Sequence, residues 1–108
     1  MKIEVMPEGP SIILMKESLQ KFVGKKVINA EGNAKFEKEP LIGKTLLEIQ
    51  TFGKQTYLIF DEISVRIHLL MFGSYSVDEQ TKPDKSLRLA LHFEEGGIFF
   101  YTSSVKLV

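Results

Sequence analysis

The spacing of hydrophobic residues near the start of the chain is that of a helix. One face is marked by four apolar residues at intervals of three or four, namely Ile12, Met15, Leu19 and Phe22. Pro10 lies at the beginning of this segment and Gly24 follows its last apolar residue, as is typical of the two ends of a helix. The pattern predicts an amphipathic helix over residues 11–23 whose apolar stripe packs in the core.

After Gly24 the spacing changes to that of β-strands. Apolar and polar residues alternate most clearly at 63–70 and 87–93, which predicts strands with one buried face. Shorter apolar segments predict further strands at 26–30, 45–51, 55–60, 74–77 and 98–102. Glu95-Gly96-Gly97 predicts the turn of a hairpin. Residues 31–43 are polar and contain a proline, so we expect a loop there, with room for a helical turn.

Short strands joined by hairpins after a single helix indicate a β-rich α+β fold. We expect a two-sheet antiparallel β-sandwich with a leading N-terminal helix. The chain has 108 residues, 44% of them hydrophobic, which fits one domain with its own core and argues against disorder.

Charge and composition restrict the function further. Fourteen basic residues balance fourteen acidic ones, so the chain would bind DNA weakly unless its cations cluster on one face. There is no cysteine, and the two histidines lack a nearby carboxylate cluster, so we expect no metal site. No apolar run of transmembrane length and no signal peptide is evident, so we expect a cytoplasmic or nucleoid-associated protein without a membrane partner.

The segment Met6-Pro7-Glu8-Gly9-Pro10 suggests a specific chemistry. A chain beginning at Pro7 would carry a secondary amine, which can attack a sugar aldehyde and form an iminium. The Glu8 carboxylate beside it could move the protons that this step needs. In the chain as it stands, residues 1–5 precede this segment, and Pro7 is then an amide nitrogen without nucleophilic character. Three interpretations of the extension formed by residues 1–5 stay open: a misassigned start, a remnant of cloning, or a real block of Pro7.

Three segments together resemble the N-terminal domain of the formamidopyrimidine-DNA glycosylase/endonuclease VIII family. They are the segment above, then Thr51-Phe52-Gly53-Lys54, and finally His68-Leu69-Leu70-Met71-Phe72-Gly73. Their order and spacing are similar to those of the family over residues 6–108. The resemblance implies a β-sandwich flanked by helices. It also implies a bifunctional DNA glycosylase/AP lyase of base-excision repair, which removes oxidised bases through a Schiff base.

The resemblance implies catalytic roles for three residues. Pro7 would be the nucleophile, Glu8 the acid/base partner, and Lys54 would assist base removal or hold a DNA phosphate. Each has a simpler alternative: Pro7 would only stiffen the entry to the helix, Glu8 would be a solvated carboxylate near the helix N-terminus, and Lys54 an ordinary turn lysine. Residues 1–5 favour the simpler reading of Pro7.

The resemblance also implies a set of DNA contacts. His68 would contact a phosphate near the lesion, and Arg66, on the same strand face, favours a polar role for that face. Met71 and Phe72 would supply the apolar wedge that fills the gap left by a flipped base. The alternatives are a structural histidine and two ordinary core residues.

Two departures from the family pattern bear on these roles. Ser11 stands where the family commonly has a second glutamate, and residues 103–106 lack the family's arginine-rich form. The family's helix–two-turn–helix domain and zinc ribbon are also not recognised in this chain. We therefore expect either an excised N-terminal domain or a truncated relative, and favour the excised domain. Such a domain would have no cofactor of its own and would be inactive or feeble by itself.

Three functions remain open at this stage. The first is the catalytic domain described above, a monomer whose partner is double-stranded DNA containing an oxidised base or an abasic site. The second is a non-catalytic relative that recognises damaged DNA. The third is a β-sandwich interaction module without DNA binding, which the zero net charge would suit.

Overall fold

A computed structural model describes the backbone of residues 10–108 and the side chains of residues 12–108. Within this part the chain forms one α-helix, α1 (Pro10–Leu19), continued by a 3-10 turn at Gln20–Phe22. Eight strands follow: β1 (Asn29–Glu31), β2 (Glu48–Phe52), β3 (Gln55–Phe60), β4 (Ile63–His68), β5 (Ser74–Val77), β6 (Leu87–Phe93), β7 (Gly96–Tyr101) and β8 (Ser104–Leu107). Further 3-10 turns lie at Glu39–Leu41 and Asp84–Ser86.

The strands form two antiparallel sheets. The first sheet has the order β1-β6-β7-β5 and the second the order β2-β3-β4-β8. The helix α1 contacts β2, β3 and β5, so it lies beside edge strands of both sheets. This arrangement confirms the predicted two-sheet sandwich with a leading helix.

The core forms where the helix meets the inner faces of both sheets. The four residues of the predicted helical stripe are all buried: Ile12, Met15, Leu19 and Phe22. Phe22 stacks on Phe93 of β6 with ring centroids 4.6 Å apart. Alternation along β3 and β4 buries Leu58, Val65 and Ile67 in the same cluster. The hydrophobic pattern therefore predicted which faces of these elements point inward.

Several predicted boundaries were wrong. The strand predicted over 26–30 is Asn29–Glu31 instead. Lys26 and Val27 bond to residues 43–45 rather than to β6: Lys26 bridges Thr45, and Val27 N–H donates to the Lys44 carbonyl. The strand predicted over 45–51 begins correspondingly late, at Glu48. The β6–β7 turn consists of Glu94 and Glu95, since the register pairs Phe93 with Gly96 and the strand already begins at that glycine.

Strand β8 was not predicted as a strand. Its sequence has only two apolar residues, Val105 and Leu107, and both pair with β4. The partner strand rather than local preference makes this segment extended, as is common for short strands.

Among the described residues, no helix is long and apolar enough to cross a membrane. The same part of the chain contains no group of three or more His, Cys, Asp or Glu side chains that could hold a metal ion.

Candidate nucleic-acid interface

The second and third motifs lie at the same end of the sandwich. In the register of β3 and β4, Gln55 pairs with His68, so the β2–β3 turn and the β4–β5 connection leave the sheet side by side. Ser104 of β8 pairs with His68 from the other side. We call this the loop end, formed by residues 52–55, 68–74 and 102–104.

The β2–β3 hairpin presents an aromatic and a cationic side chain at the loop end. Phe52 and Gln55 form its last pair, leaving Gly53 and Lys54 as a two-residue turn. Gly53 has φ 59°, which fits a turn with glycine in its first position. Lys54 is exposed and Phe52 is 64% exposed. The Phe52 ring meets Tyr57 edge to face, with centroids 5.5 Å apart.

The β4–β5 connection is a tight loop with an apolar tip. Leu69 is buried, Leu70 has a positive φ of 63°, and a Cβ at Gly73 would lie 2.0 Å from the Leu69 carbonyl oxygen. Met71 and Phe72 at the tip are 69% and 78% exposed. The alternative that these two are core residues is therefore wrong. Exposure of two large apolar side chains at one tip indicates a contact surface.

Arg66 and His68 lie on the outer face of the second sheet, as their alternation predicted. Both are half-buried. Arg66 pairs with Tyr57 on β3 and Lys106 on β8. His68 pairs with Gln55 on β3 and Ser104 on β8. The neighbours of both residues are therefore polar, aromatic or cationic rather than aliphatic. The loop end and this face bring together Lys54, Arg66, His68, Met71 and Phe72.

The direction of α1 relates the first motif to the loop end. Tyr75, early in β5, donates a hydrogen bond to Ser18 Oγ at 3.4 Å, and Lys21 pairs with Asp78 after β5 at 2.7 Å. The helix therefore runs in the same direction as β5, which starts next to Gly73. Its N-terminus consequently points toward the loop end. Pro7 and Glu8, the predicted nucleophile and acid/base, lie outside the described residues, as does the side chain of Ser11.

Three hydroxyl groups buried near the loop end have no hydrogen-bond partner within the described part of the chain. They belong to Thr56, Ser74 and Ser103. Thr56 follows the β2–β3 turn, Ser74 begins β5, and Ser103 lies between β7 and β8. An unsatisfied buried hydroxyl costs stability.

Formal charges are distributed unevenly along the second sheet. Lys54, Arg66 and Lys106 lie toward the loop end, whereas Asp61 and Glu62 form the β3–β4 turn at the opposite end. The zero net charge of the chain thus conceals a cationic end. Three of the fourteen basic residues are thus on the second sheet and its loop end.

Three residues of this surface were not predicted as site residues. Phe52 belongs to the motif Thr51-Phe52-Gly53-Lys54, but its exposure depends on its place at the end of β2, just before the turn. Leu70 is 44% exposed because its positive φ turns the chain at that point. Lys106 was missed because β8 itself was not predicted.

Comparison with known proteins identifies the family. A family model described as the formamidopyrimidine-DNA glycosylase N-terminal domain matches residues 6–106. No curated protein matches the chain by sequence.

Solved structures of Lactococcus lactis Fpg (MutM) are similar to this chain. The wild-type enzyme in complex with N7-benzyl-Fapy-dG containing DNA is 27% identical with a TM-score of 0.81, covering 94% of this chain and 44% of that one. A complex with abasic-site-containing DNA is 27% identical with a TM-score of 0.80, covering 94% and 43%. A complex with Fapy-dG containing DNA is 25% identical with a TM-score of 0.79, covering 92% and 43%.

This chain thus spans less than half the length of the glycosylases whose structures it matches. The motif order, the two-sheet fold and the family match over nearly all of the chain agree with one another. The chain belongs to the formamidopyrimidine-DNA glycosylase family, through that family's N-terminal domain.

Proposed function

We propose that this chain is the N-terminal part of a base-excision repair enzyme and contacts damaged DNA with its loop end. The observation that carries the proposal is the tip of the β4–β5 loop, where Met71 and Phe72 are 69% and 78% exposed beside the Lys54 turn. The structural relatives in complex with abasic-site and Fapy-dG containing DNA support the class of ligand.

The exposed tip suits a gap in a duplex. Flipping a base out of the stack costs a few kcal/mol, and an inserted apolar side chain offsets part of this cost. Met71 and Phe72 are large, apolar and held forward by a loop that Gly73 closes tightly. In intact duplex there is no gap to fill, so the wedge favours DNA with a missing or unstacked base.

Cations next to the tip would hold the backbone of the same DNA. Phosphate contacts fix the position of a protein on DNA and supply most of its salt-dependent affinity. Lys54 is exposed in the β2–β3 turn, and Arg66 and His68 lie on the adjoining strand face. We assign phosphate contacts to these three residues, and to Lys54 an assisting role in base removal.

The chemistry would belong to Pro7 and Glu8. The Pro7 nitrogen attacks the anomeric carbon of the damaged nucleotide and the base leaves with a proton. The sugar ring opens to give an iminium, and loss of a neighbouring proton then eliminates the 3′ phosphate. Glu8 transfers protons during these steps. An α-amino group has a pKa of about 7.7–8.0, so a useful fraction is unprotonated near neutral pH and can act as the nucleophile.

Borohydride trapping on abasic-site duplex tests this chemistry, because borohydride reduces only an imine to a stable adduct. A chain beginning at Pro7 should give a covalent adduct. The yield of adduct should be low if the reaction also needs the part of the longer glycosylase chains that this chain does not match. The chain beginning at Met1 should give none, since its Pro7 is an amide. Equal adducts from both forms would contradict the role of Pro7 and point to a lysine instead.

A second candidate is a non-catalytic relative that only recognises damaged DNA. Ser11 favours it, because a hydroxyl cannot replace the carboxylate that the family commonly has there. Under this candidate the loop end still binds abasic-site DNA, but neither form of the chain gives an adduct. The interaction module without DNA is less favoured, because the cations of the second sheet are gathered toward its loop end.

A further inference from the structure

The outer face of the second sheet carries aromatic and cationic side chains in two adjacent rows. The row nearest the loop end contains Phe52, Gln55, His68 and Ser104. The next row contains Gln50, Tyr57, Arg66 and Lys106. All eight residues are half-exposed or exposed, so the face is open to solvent.

We propose that this face binds a segment of single-stranded DNA, with Phe52 stacked on a base and Arg66 and Lys106 holding phosphates. The inference rests on the proposed function for its class of ligand. It adds to that function a binding surface for one unpaired DNA strand. Insertion of Met71 and Phe72 into a duplex does not depend on this surface.

Phe52 has the properties of a stacking residue. It is 64% exposed, although burying a phenylalanine is normally favourable. Its edge-to-face contact with Tyr57 holds the ring in one place, and Tyr57 is itself held by a 3.1 Å hydrogen bond that it donates to Gln55 Oε1. A fixed, exposed ring on a sheet surface loses little entropy when a base stacks on it.

Arg66 and Lys106 form a pair of like charges that an anion would relieve. They are direct cross-strand partners in β4 and β8, and such partners have Cβ atoms only about 4.5–5.5 Å apart. Within the described side chains neither takes part in an ion pair. Like charges directly opposite each other destabilise a sheet. A phosphate between them would convert this repulsion into two favourable contacts.

The positive surface continues around the edge of the sheet at β8. A groove of about 700 Å³ lies between β8 and residues 33–36, and its charged lining residues are all cations: Lys35, Arg88 and Lys106. At the opposite end of the sheet, Asp61 and Glu62 would repel a phosphate backbone. Charge therefore confines the strand to the half of the face near the loop end.

Phe52 favours single-stranded DNA over other anionic partners. An acidic protein segment would use the cations but would gain little from Phe52. Duplex DNA keeps its base faces stacked, so its bases are not available to the ring. An unpaired strand uses the ring and the cations together.

The test is fluorescence anisotropy with a labelled oligothymidine of about 10 nucleotides, a length within the usual site size of such surfaces. Phe52→Ala should weaken binding by about 5- to 150-fold, and Phe52→Tyr should bind like the unchanged chain. In the double variant Arg66→Ala/Lys106→Ala, the slope of log affinity against log salt should fall by about 1.4.

The matched control is Lys25→Ala/Lys26→Ala, which removes two exposed lysines and should leave the slope unchanged. Lys26 bridges Thr45, which precedes β2 at the end of the second sheet opposite Phe52. Unchanged oligothymidine binding in Phe52→Ala or in the Arg66/Lys106 variant would overturn the inference. Competition by poly-glutamate as strong as that by oligothymidine would also overturn it.

Abasic-site duplex, measured in parallel, separates this inference from the proposed function. If the face variants leave single-strand binding intact while a Met71→Ala variant weakens duplex binding, the path across the sheet is wrong and the proposed function stands. If the unchanged chain binds neither ligand at low salt, both are wrong.

Discussion

At the scale of single residues, Gly73 determines the shape of the candidate wedge. A Cβ at this position would lie 2.0 Å from the Leu69 oxygen and 2.7 Å from its carbonyl carbon, so only glycine allows the loop to close. The sequence contained the glycine and the two apolar residues before it. Their exposure could not be predicted, because a short apolar segment at a strand end is equally typical of a core.

A Gly73→Ala variant should lose about 1–3 kcal/mol of unfolding free energy, the usual cost of forcing a methyl group into filled space. The added atom meets backbone, which cannot rotate away as a side chain would. Urea denaturation gives the difference directly.

Gly24→Asn is the control for that variant. Gly24 has φ +90° with nothing within 4 Å of an added Cβ, and asparagine is tolerated at helix ends with positive φ. Its loss should be clearly smaller. A Gly73→Ala protein as stable as the unchanged chain would show that the loop can open without cost.

Among the strands, pairing with a neighbour formed the element that the local sequence pattern did not predict. The strands β3, β5 and β6 have the predicted bounds, because alternation or flanking turns marked them well. β4 begins as predicted but ends at His68 rather than at residue 70. β8 escaped prediction because its extension depends on pairing with β4. The functional consequence is that Lys106, opposite Arg66, could be found only from the structure.

The ion pair between Lys21 and Asp78 is expected to make stability depend on pH. A side-chain hydrogen bond from Lys21 lowers the pKa of the Asp78 carboxyl below its ordinary value of 3.8, with a further contribution from the Gly97 backbone. The folded pKa is depressed, so the stabilisation is present above the ordinary pKa and is lost as pH falls through the folded value. The contact joins the end of α1 to the end of β5.

Asp78→Asn should therefore be less stable than the unchanged chain at about pH 7, and the difference should shrink below about pH 3.8. The effect is expected to be small, because both partners are exposed to water. Urea denaturation across this pH range measures it, and Lys21→Met should reproduce the loss at neutral pH. A difference that stays constant over the whole range would contradict the contact.

At the scale of the whole molecule, the distribution of charge matters more than its sum. Equal numbers of acidic and basic residues gave no indication of DNA binding. The sheet register places Lys54, Arg66 and Lys106 toward the loop end and acidic residues at the far turn. Composition cannot show such a separation, whereas three short motifs did indicate the family and the fold.

The proposed function requires that the exposed tip of the loop end recognises a gap in DNA. The affinity for abasic-site duplex relative to intact duplex tests this claim, measured for the unchanged chain and for Met71→Ala/Phe72→Ala. The control Ile28→Ala/Leu47→Ala removes two exposed apolar residues from positions that precede β1 and β2.

We expect the unchanged chain and the control to prefer the abasic site. The tip variant should lose that preference, by about 10- to 100-fold, while keeping its salt-dependent binding to intact duplex, because its cations remain. A tip variant that still prefers the abasic site, or an unchanged chain without any preference, would contradict the claim.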